Sequence, residues 1–359
     1  MMKKILFLDD KEDDRRIYKK KLERRFEVLI EEIPVSKEDH QKIIDKKPDV
    51  ILLDFDLSIP NKKNQKSSVS GVPLSIELRQ KIPDIPIILF TKKSLFNIDK
   101  FSNIKNSLSC IDSVIYKTDL SSNSDYFFTE IENLASGYAI LHKKKPRSTS
   151  NLFELLKAPE IDSDRLKQSI PPESFHDNSI LSPSVAAGWI RSILLKYPGI
   201  LYEDIYAATL LGISKEAFQK DSIQNFFSSA KYSGIFSPPE GRWWKSKLIE
   251  ISVARMNNEE RSLSLNIGFS KMWKRIKKED LEISKCNSSE KTPADCVCYL
   301  LKEQTTIPFS LLYPADVRPD VMDKSRISFK AIRESNDYNL DFFDPSQKEI
   351  IKQIRRKKK

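Results

Sequence analysis

The sequence predicts an α/β domain built on a doubly wound parallel sheet, followed by a second, mostly helical domain of α or α+β class. Three observations carry that reading. Across residues 1–142, strand-like and helix-like segments alternate, as in a parallel sheet covered on both faces. The strand candidates are near-continuous apolar runs, such as Ile5-Leu6-Phe7-Leu8, Val50-Ile51-Leu52-Leu53 and Ile87-Ile88-Leu89-Phe90, which suits strands buried on both sides. Each run also delivers a polar residue at its carboxyl end. Asp9 and Asp10 follow the first, Asp54 the second and Thr91 the third, and Lys117 follows Val114-Ile115-Tyr116. In an open parallel sheet, that edge is where ligands and chemistry sit.

The elements follow in order. Residues 4–9 read as the first strand, and 13–25 as a polar helix whose stripe is Ile17, Tyr18 and Leu22. The second strand is 26–30, the next helix 37–46 and the third strand 50–54. Residues 57–71 are rich in Lys, Asn and Ser and read as a loop. A helix at 72–81 leads through Pro83 and Pro86 into the fourth strand, then a weakly helical 94–108, a fifth strand at 111–116 and a long helix at 125–142. Residues 143–180 read as a linker, with basic residues, several Pro and a helical patch at 152–156. The second domain is 181–359. Helices are expected at 183–196, 202–211 and from a Ser214 cap through 227, with a hairpin or loop around the aromatic runs 232–236 and 242–244. A further helix is expected at 263–278, and 294–338 mixes one helix with short strands.

Composition narrows the class. The chain has 359 residues, 39% of them hydrophobic and 31% charged, and no apolar stretch approaches the length of a membrane span. After Met1-Met2-Lys3-Lys4 the apolar run is too short for a secretory core, so the expected location is the cytoplasm and the expected state of Cys110, Cys286, Cys296 and Cys298 is free thiol. The net charge of +10 admits nucleic acid as a partner. Its sharpest clusters, Lys143-Lys144-Lys145-Pro146-Arg147 and the tail 355–359, read equally as linker and solvated end.

Taken together, Ile5-Leu6-Phe7-Leu8-Asp9-Asp10, Asp54 after Ile51-Leu52-Leu53, Thr91 after Ile88-Leu89-Phe90 and Lys117 after Val114-Ile115-Tyr116 resemble the receiver domain of bacterial response regulators. The resemblance covers residues 1–142 and implies a flavodoxin-like (βα)5 fold. It implies that Asp54 is a nucleophile taking a phosphoryl group from the phosphohistidine of a histidine kinase. It also implies that Asp9, Asp10, Asp54 and the backbone carbonyl of Asp56 hold Mg2+, which prefers oxygen ligands. Lys117 would pair with Asp54 and then with a phosphoryl oxygen, while Thr91 would bond another and report phosphorylation. Such a protein is a phosphoacceptor rather than an enzyme in its own right.

The departures from that family bear on output. Thr118 stands where the family has Pro, so its cis peptide loses its motive. Val114 stands where the family has its switch aromatic, Lys92 follows Thr91 in place of a small residue, and Pro60 and Gly71 come late around the insert 61–66. The phosphorylation chemistry is preserved, and the usual relay to a phosphorylation-driven dimer is not. The second half matches no output domain by motif. One reading makes it a winged-helix-like DNA-binding module whose recognition helix carries Lys215, Gln219, Lys220, Gln224 and Asn225. Another makes the chain a phosphate sink or kinase-tuning partner, as a stress or phage-defence circuit would use, acting on an effector protein. Trp189, Trp243, Trp244 and Trp273 read as core. Cys286, Cys296 and Cys298 lack a paired metal-ligand spacing and read as buried thiols. Asp316, Asp320 and Asp323, interleaved with Arg318 and Lys324, read as a charged loop.

Overall fold

Four apolar residues in a row have nowhere to go but a sheet interior, and that is where they are. The computed structural model describes residues 2–31, 37–60, 66–92, 110–170, 182–287, 289–313, 319–335 and 338–356. The expected helix at 94–108 and most of the insert 61–66 lie outside the described residues. The chain packs as two units. The first holds the described residues up to Leu155, with those of Pro171–Arg191 and of Gly234–Pro239. The second holds Leu156–Ile170, Ser192–Ser233 and the described residues of Glu240–Lys359.

In the first unit the order is β1 (Lys4–Leu8), α1 (Glu12–Leu22), β2 (Glu27–Glu31), α2 (Lys37–Asp45), β3 (Val50–Leu53), β4 (Asp56–Pro60), β5 (Lys66–Ser70), α3 (Gly71–Lys81), β6 (Ile87–Thr91), β7 (Ser113–Tyr116), α4 (Lys117–Ser122), α5 (Ser124–Lys144) and α6 (Thr149–Leu156). Five strands form one all-parallel sheet in the order β2-β1-β3-β6-β7, the flavodoxin-like doubly wound arrangement. The apolar residues of β1, β3 and β6 are at most 1% exposed, which explains why their sequences do not alternate. The strand order reverses between β1 and β3. There Leu8 pairs with Leu53, so Asp9 and Asp54 leave the sheet side by side, and the Asp54 amide donates to the Leu8 carbonyl at 2.9 Å.

Helix packing completes the frame. In α5, Phe128, Ile131, Leu134, Ala135, Tyr138 and Leu141 are buried at helical spacing. Just before β7, Asp112 accepts from the Ile87 amide at 2.8 Å, from Arg79 of α3 and from the Tyr138 hydroxyl of α5. One carboxylate thus fastens two strands and both helices at the edge opposite the polar residues. The expected loop at 57–71 is instead largely an antiparallel hairpin, with Asp56 opposite Ser70 and Pro60 opposite Lys66. Its Lys, Asn and Ser content masks the period-two placing of Leu57, Ile59 and Val69.

The next elements are α7 (Ser163–Ser169) and α8 (Pro183–Trp189), so much of the expected linker is helical. Then come β8 (Leu201–Tyr202), α9 (Asp204–Leu210), α10 (Lys215–Phe218), α11 (Asp221–Phe226), β9 (Trp243–Trp244), α12 (Lys245–Arg255), α13 (Asn258–Arg261) and α14 (Leu265–Lys277). The rest is β10 (Cys296–Cys298), β11 (Glu303–Thr305), β12 (Ser310–Leu312), β13 (Arg326–Ser328), α15 (Phe329–Glu334) and α16 (Pro345–Arg356). The four last strands form a sheet in the order β11-β10-β13-β12. All four tryptophans are buried, and Trp243 and Trp273 join Phe218, Phe227 and Phe269 in one core. Ser214 caps α10 as expected, accepting from the Ala217 amide at 3.0 Å.

One expectation changes. The helix expected through 227 breaks at Gln219 and Lys220, and the Gln224 amide satisfies the Phe218 carbonyl left open there, at 3.0 Å. The aromatic runs take the second form expected of them, a loop before α12, joined across the Pro-Pro turn by an isolated antiparallel bridge between Lys231 and Trp243 and by the Tyr232 amide donating to the Arg242 carbonyl at 2.8 Å. Trp243 and Trp244 pair with Tyr202 and Leu201, and the Trp243 indole donates to Asp204 at 2.8 Å. Asp323 binds Lys245 at 3.0 Å and the Tyr202 hydroxyl, while Asp316 and Arg318 lie outside the described residues.

Gly71 opens α3 against the backbone of the β3 edge. Its amide donates to the Phe55 carbonyl at 2.8 Å, and a Cβ there would lie 2.1 Å from the Asp54 carbonyl oxygen. Gly71→Ala should therefore cost about 1–3 kcal/mol of stability, read as a lower urea midpoint. An unchanged midpoint would mean that α3 does not start in contact with Asp54.

Candidate functional site

A strand that stops at the sheet edge hands its next side chain to the crevice beyond, and the four strand ends β1, β3, β6 and β7 do this together. Asp9 and Asp54 are 0% and 1% exposed, Asp10 is half-buried, and Thr91 and Lys117 are fully covered. Ligand atoms from Asp9, Asp10 and Asp54 lie within 4.8 Å of one another, and among the described residues no other group of His, Cys, Asp or Glu is so placed. Asp56 opens β4, two residues beyond Asp54. Thr91 ends β6 opposite Tyr116, and among the described residues its hydroxyl has no hydrogen-bond partner. Cys286 and Cys298 are buried free thiols and Cys296 is half-buried. Burial pushes the Cys296 thiol up to about 12, which keeps it protonated.

Lys117 organises the charge. Its Nζ lies 2.6 Å from Asp9 Oδ2, 3.1 Å from Asp14 Oδ2 and 3.2 Å from Asp54 Oδ1. The last contact is an ion pair without hydrogen-bond alignment, so neither Asp54 oxygen is hydrogen-bonded among the described residues. One side of the ammonium faces aromatic rings, with Tyr18 and Phe90 centroids at 5.8 and 5.7 Å. The Lys11 amide donates to Asp9 Oδ1 at 2.8 Å and fixes that carboxylate from the other side.

Sequence reasoning missed Asp14 and the ring of Tyr18. Asp14 lies in the first turn of α1 and also pairs with Lys92 Nζ at 3.4 Å. The available signal was position alone, since a residue in the first turn after β1 stands above the same sheet edge. Lys92 is thereby tied to α1 through Asp14.

These contacts move the proton equilibria. Burial pushes the Asp54 carboxyl up to about 6, with Asp9 adding to that and Lys117 opposing it. Burial alone would lower Lys117, but Asp54 and Asp9 outweigh it and hold the ammonium above its ordinary range. Asp14 is held below its ordinary value, since Lys117 and Lys92 outweigh its burial. Four carboxylates, Asp9, Asp10, Asp14 and Asp54, face the ammonium groups of Lys117 and Lys92, with Lys11 also acting on Asp54. Carboxylates remain in excess, and their all-oxygen donor set suits a divalent cation such as Mg2+.

No family model and no curated protein matches the chain. Solved structures do. A structure of the response regulator TrrA from Thermotoga maritima in complex with Mg2+-BeF is 22% identical, over 36% of this chain and 99% of that one, with a TM-score of 0.27. A structure of the histidine kinase ThkA in complex with TrrA gives 26% identity, over 37% and 98% of the two chains, with a TM-score of 0.28. A receiver domain protein from Methanospirillum hungatei gives 21% identity, over 37% and 98%, with a TM-score of 0.27. Each of these likenesses covers little more than a third of the chain, at low identity. Among the described residues, no helix is long and apolar enough to cross a membrane.

The Asp54 shift has a signed consequence. Its folded value, about 6, stands above the ordinary 3.8, so the fold favours the neutral acid. The native state then binds more protons than the unfolded state between those values, and stability falls as pH rises through that window. Asp54→Asn should stabilise the metal-free protein at pH 7.5 by about 1–2 kcal/mol, less than the shift alone implies because Lys117 loses a partner. The gain should shrink as pH falls through that window and vanish by about pH 3, below both values, where Asp54 is mostly protonated in both states. Urea denaturation at the two pH values checks it, and an equal gain at both would remove burial of the Asp54 charge as its cause.

Proposed function

We propose that this chain is a two-component response regulator whose Asp54 accepts a phosphoryl group from the phosphohistidine of a histidine kinase. The observation that carries the reading is a buried carboxylate at the sheet's switch point, with no hydrogen bond on either oxygen among the described residues and a buried ammonium 3.2 Å away. In the transfer, an Asp54 oxygen forms the new bond to phosphorus while the bond from phosphorus to the imidazole nitrogen breaks. The proton that the departing imidazole needs comes from the kinase side or from water.

Asp9, Asp10 and Asp54 would hold Mg2+, with the Asp56 carbonyl as the further ligand the resemblance implies, and the ion would neutralise charge on the transferring oxygens. Asp9 is fixed for that role by the Lys11 amide. Lys117 meets the charge that arrives on the phosphoryl oxygens, and its aromatic wall of Tyr18 and Phe90 excludes water from one side. Thr91 brings a buried hydroxyl able to donate to a phosphoryl oxygen. The second unit then regulates, or is read according to, the phosphorylated state. The protein's own chemistry is phosphotransfer to Asp54 and hydrolysis of the acyl phosphate.

A second reading, a phosphate sink or kinase-tuning partner, draws on β7. The half-buried Val114 occupies the place of the family's switch aromatic, which leaves the usual relay without its moving part.

Two measurements test these statements. Acetyl phosphate with Mg2+ should label the wild type and leave Asp54→Asn unlabelled; label that persists in the variant would overturn the assignment. Hydrogen exchange across residues 192–356, with and without beryllofluoride, separates the two readings. A regulator should show altered protection in the second unit, and a sink should show change in the first unit only.

A further inference from the structure

We infer that Asp14 is a positioning residue that competes with the phosphoryl group for Lys117, and that Lys92 sets the strength of that competition. The inference rests on the phosphoacceptor reading of Asp54.

Lys117 Nζ donates hydrogen bonds to Asp9 at 2.6 Å and Asp14 at 3.1 Å, while Asp54 Oδ1, at 3.2 Å, is paired with it by charge alone. The ammonium is thus aimed at Asp9 and Asp14 rather than at Asp54. A phosphoryl group on Asp54 adds negative charge beside it and draws it away from one of those two hydrogen-bonded partners. Asp9 is the shortest contact, is fully buried and is fixed by the Lys11 amide. Asp54 is the atom bearing the new group. Asp14 differs from both. It is more open, at 13% side-chain exposure, and it has a second cation at hand in Lys92, 3.4 Å away and 45% exposed. Asp14 is therefore the partner Lys117 releases, and Lys92 keeps the released carboxylate neutralised. The exchange needs no backbone motion, only a shift of one ammonium between carboxylates.

The sign of each substitution follows. Asp14→Asn removes the competing anion, so Lys117 is free for the phosphoryl group. Lys92→Gln removes the alternative cation, so Asp14 holds Lys117 more tightly. If Lys92 acts only through Asp14, its loss should matter little once Asp14 is neutral.

The test is a double-mutant cycle on the full chain, titrating beryllofluoride at saturating Mg2+ and, separately, Mg2+ alone. Asp14→Asn should bind beryllofluoride about three- to tenfold more tightly and accept phosphoryl from acetyl phosphate faster by a similar factor. Its Mg2+ affinity should fall or stay level, because a negative charge has left the site. Lys92→Gln should weaken beryllofluoride binding by about the same factor, and that loss should disappear in the Asp14→Asn background. A merely structural role for Asp14 would weaken both ligands together, and that outcome overturns the inference. So does an Asp14→Asn variant within twofold of wild type, or a Lys92→Gln loss that persists in the Asp14→Asn background. A wild type that takes no label and binds no beryllofluoride sinks the phosphoacceptor reading itself. A wild type that labels on Asp54 while the cycle shows no coupling sinks only the role of Asp14.

Discussion

A buried ammonium group is the constraint on which the first unit depends. Taking a lysine out of water costs several kcal/mol unless carboxylates receive it. Lys117, 1% exposed, is received by Asp9, Asp14 and Asp54, which come from the end of β1, the first turn of α1 and the end of β3. Those three points meet only if β1 and β3 are neighbours in register and β7 ends at the same edge. The sheet order supplies both, through Leu8 opposite Leu53 and through β6 opposite β7. The far edge is fastened by an inverse arrangement, in which one carboxylate, Asp112, receives donors from β6, α3 and α5. Each edge is thus held by one buried charge shared among several elements, which fixes strand positions more tightly than apolar packing alone.

The same clustering bears on the reactivity proposed for Asp54. A carboxylate in water is well solvated and a poor nucleophile toward an anionic phosphoryl group. Here burial and Asp9 push Asp54 toward the neutral acid, and Lys117 pulls it back. A second cation would shift that balance toward the carboxylate, so the metal and phosphoryl chemistry proposed here would be linked through the ionisation of one group. The excess of carboxylates over ammonium groups is what makes room for a dication, and Lys92 belongs to that count because Asp14 draws it in.

The elements legible in sequence are those whose pattern is local. The runs Ile5-Leu6-Phe7-Leu8 and Val50-Ile51-Leu52-Leu53 announce buried strands, and the polar residue after each is conspicuous because its neighbours are not polar. That contrast marked Asp9, Asp10, Asp54, Thr91 and Lys117. Asp14 carries no such contrast. It sits in Lys11-Glu12-Asp13-Asp14-Arg15-Arg16, where every side chain is charged, and only the turn of α1 separates the carboxylate facing Lys117 from its neighbours. The hairpin β4–β5 was hidden because polar residues outnumber its alternating apolar ones. The pairing of Trp243 with Tyr202 was hidden for another reason, since strands of two residues far apart in sequence have no period to read. The break between α10 and α11 is likewise a matter of one side chain, Gln224, capping an open carbonyl.

The aromatic residues of the second unit bear on what it can bind. Stacking of unpaired bases requires ring faces open to solvent. Trp243, Trp244 and Trp273 are at most 3% exposed, and Phe218, Phe227 and Phe269 are fully buried with them. Their edge-to-face and tilted contacts with one another show that these rings form the interior of the unit. These rings therefore offer no open face to a base, and of the lysine and arginine side chains that could meet a polyanion several are already engaged at the surface. Lys220 pairs with Glu279 and Lys274 with Asp280. Exposed pairs of this kind contribute little to stability and exchange partners readily. The basic surface is thus held by weak intramolecular pairs that a stronger anion can displace, the same exchange of one cation between competing anions that the geometry around Lys117 sets up in a buried site.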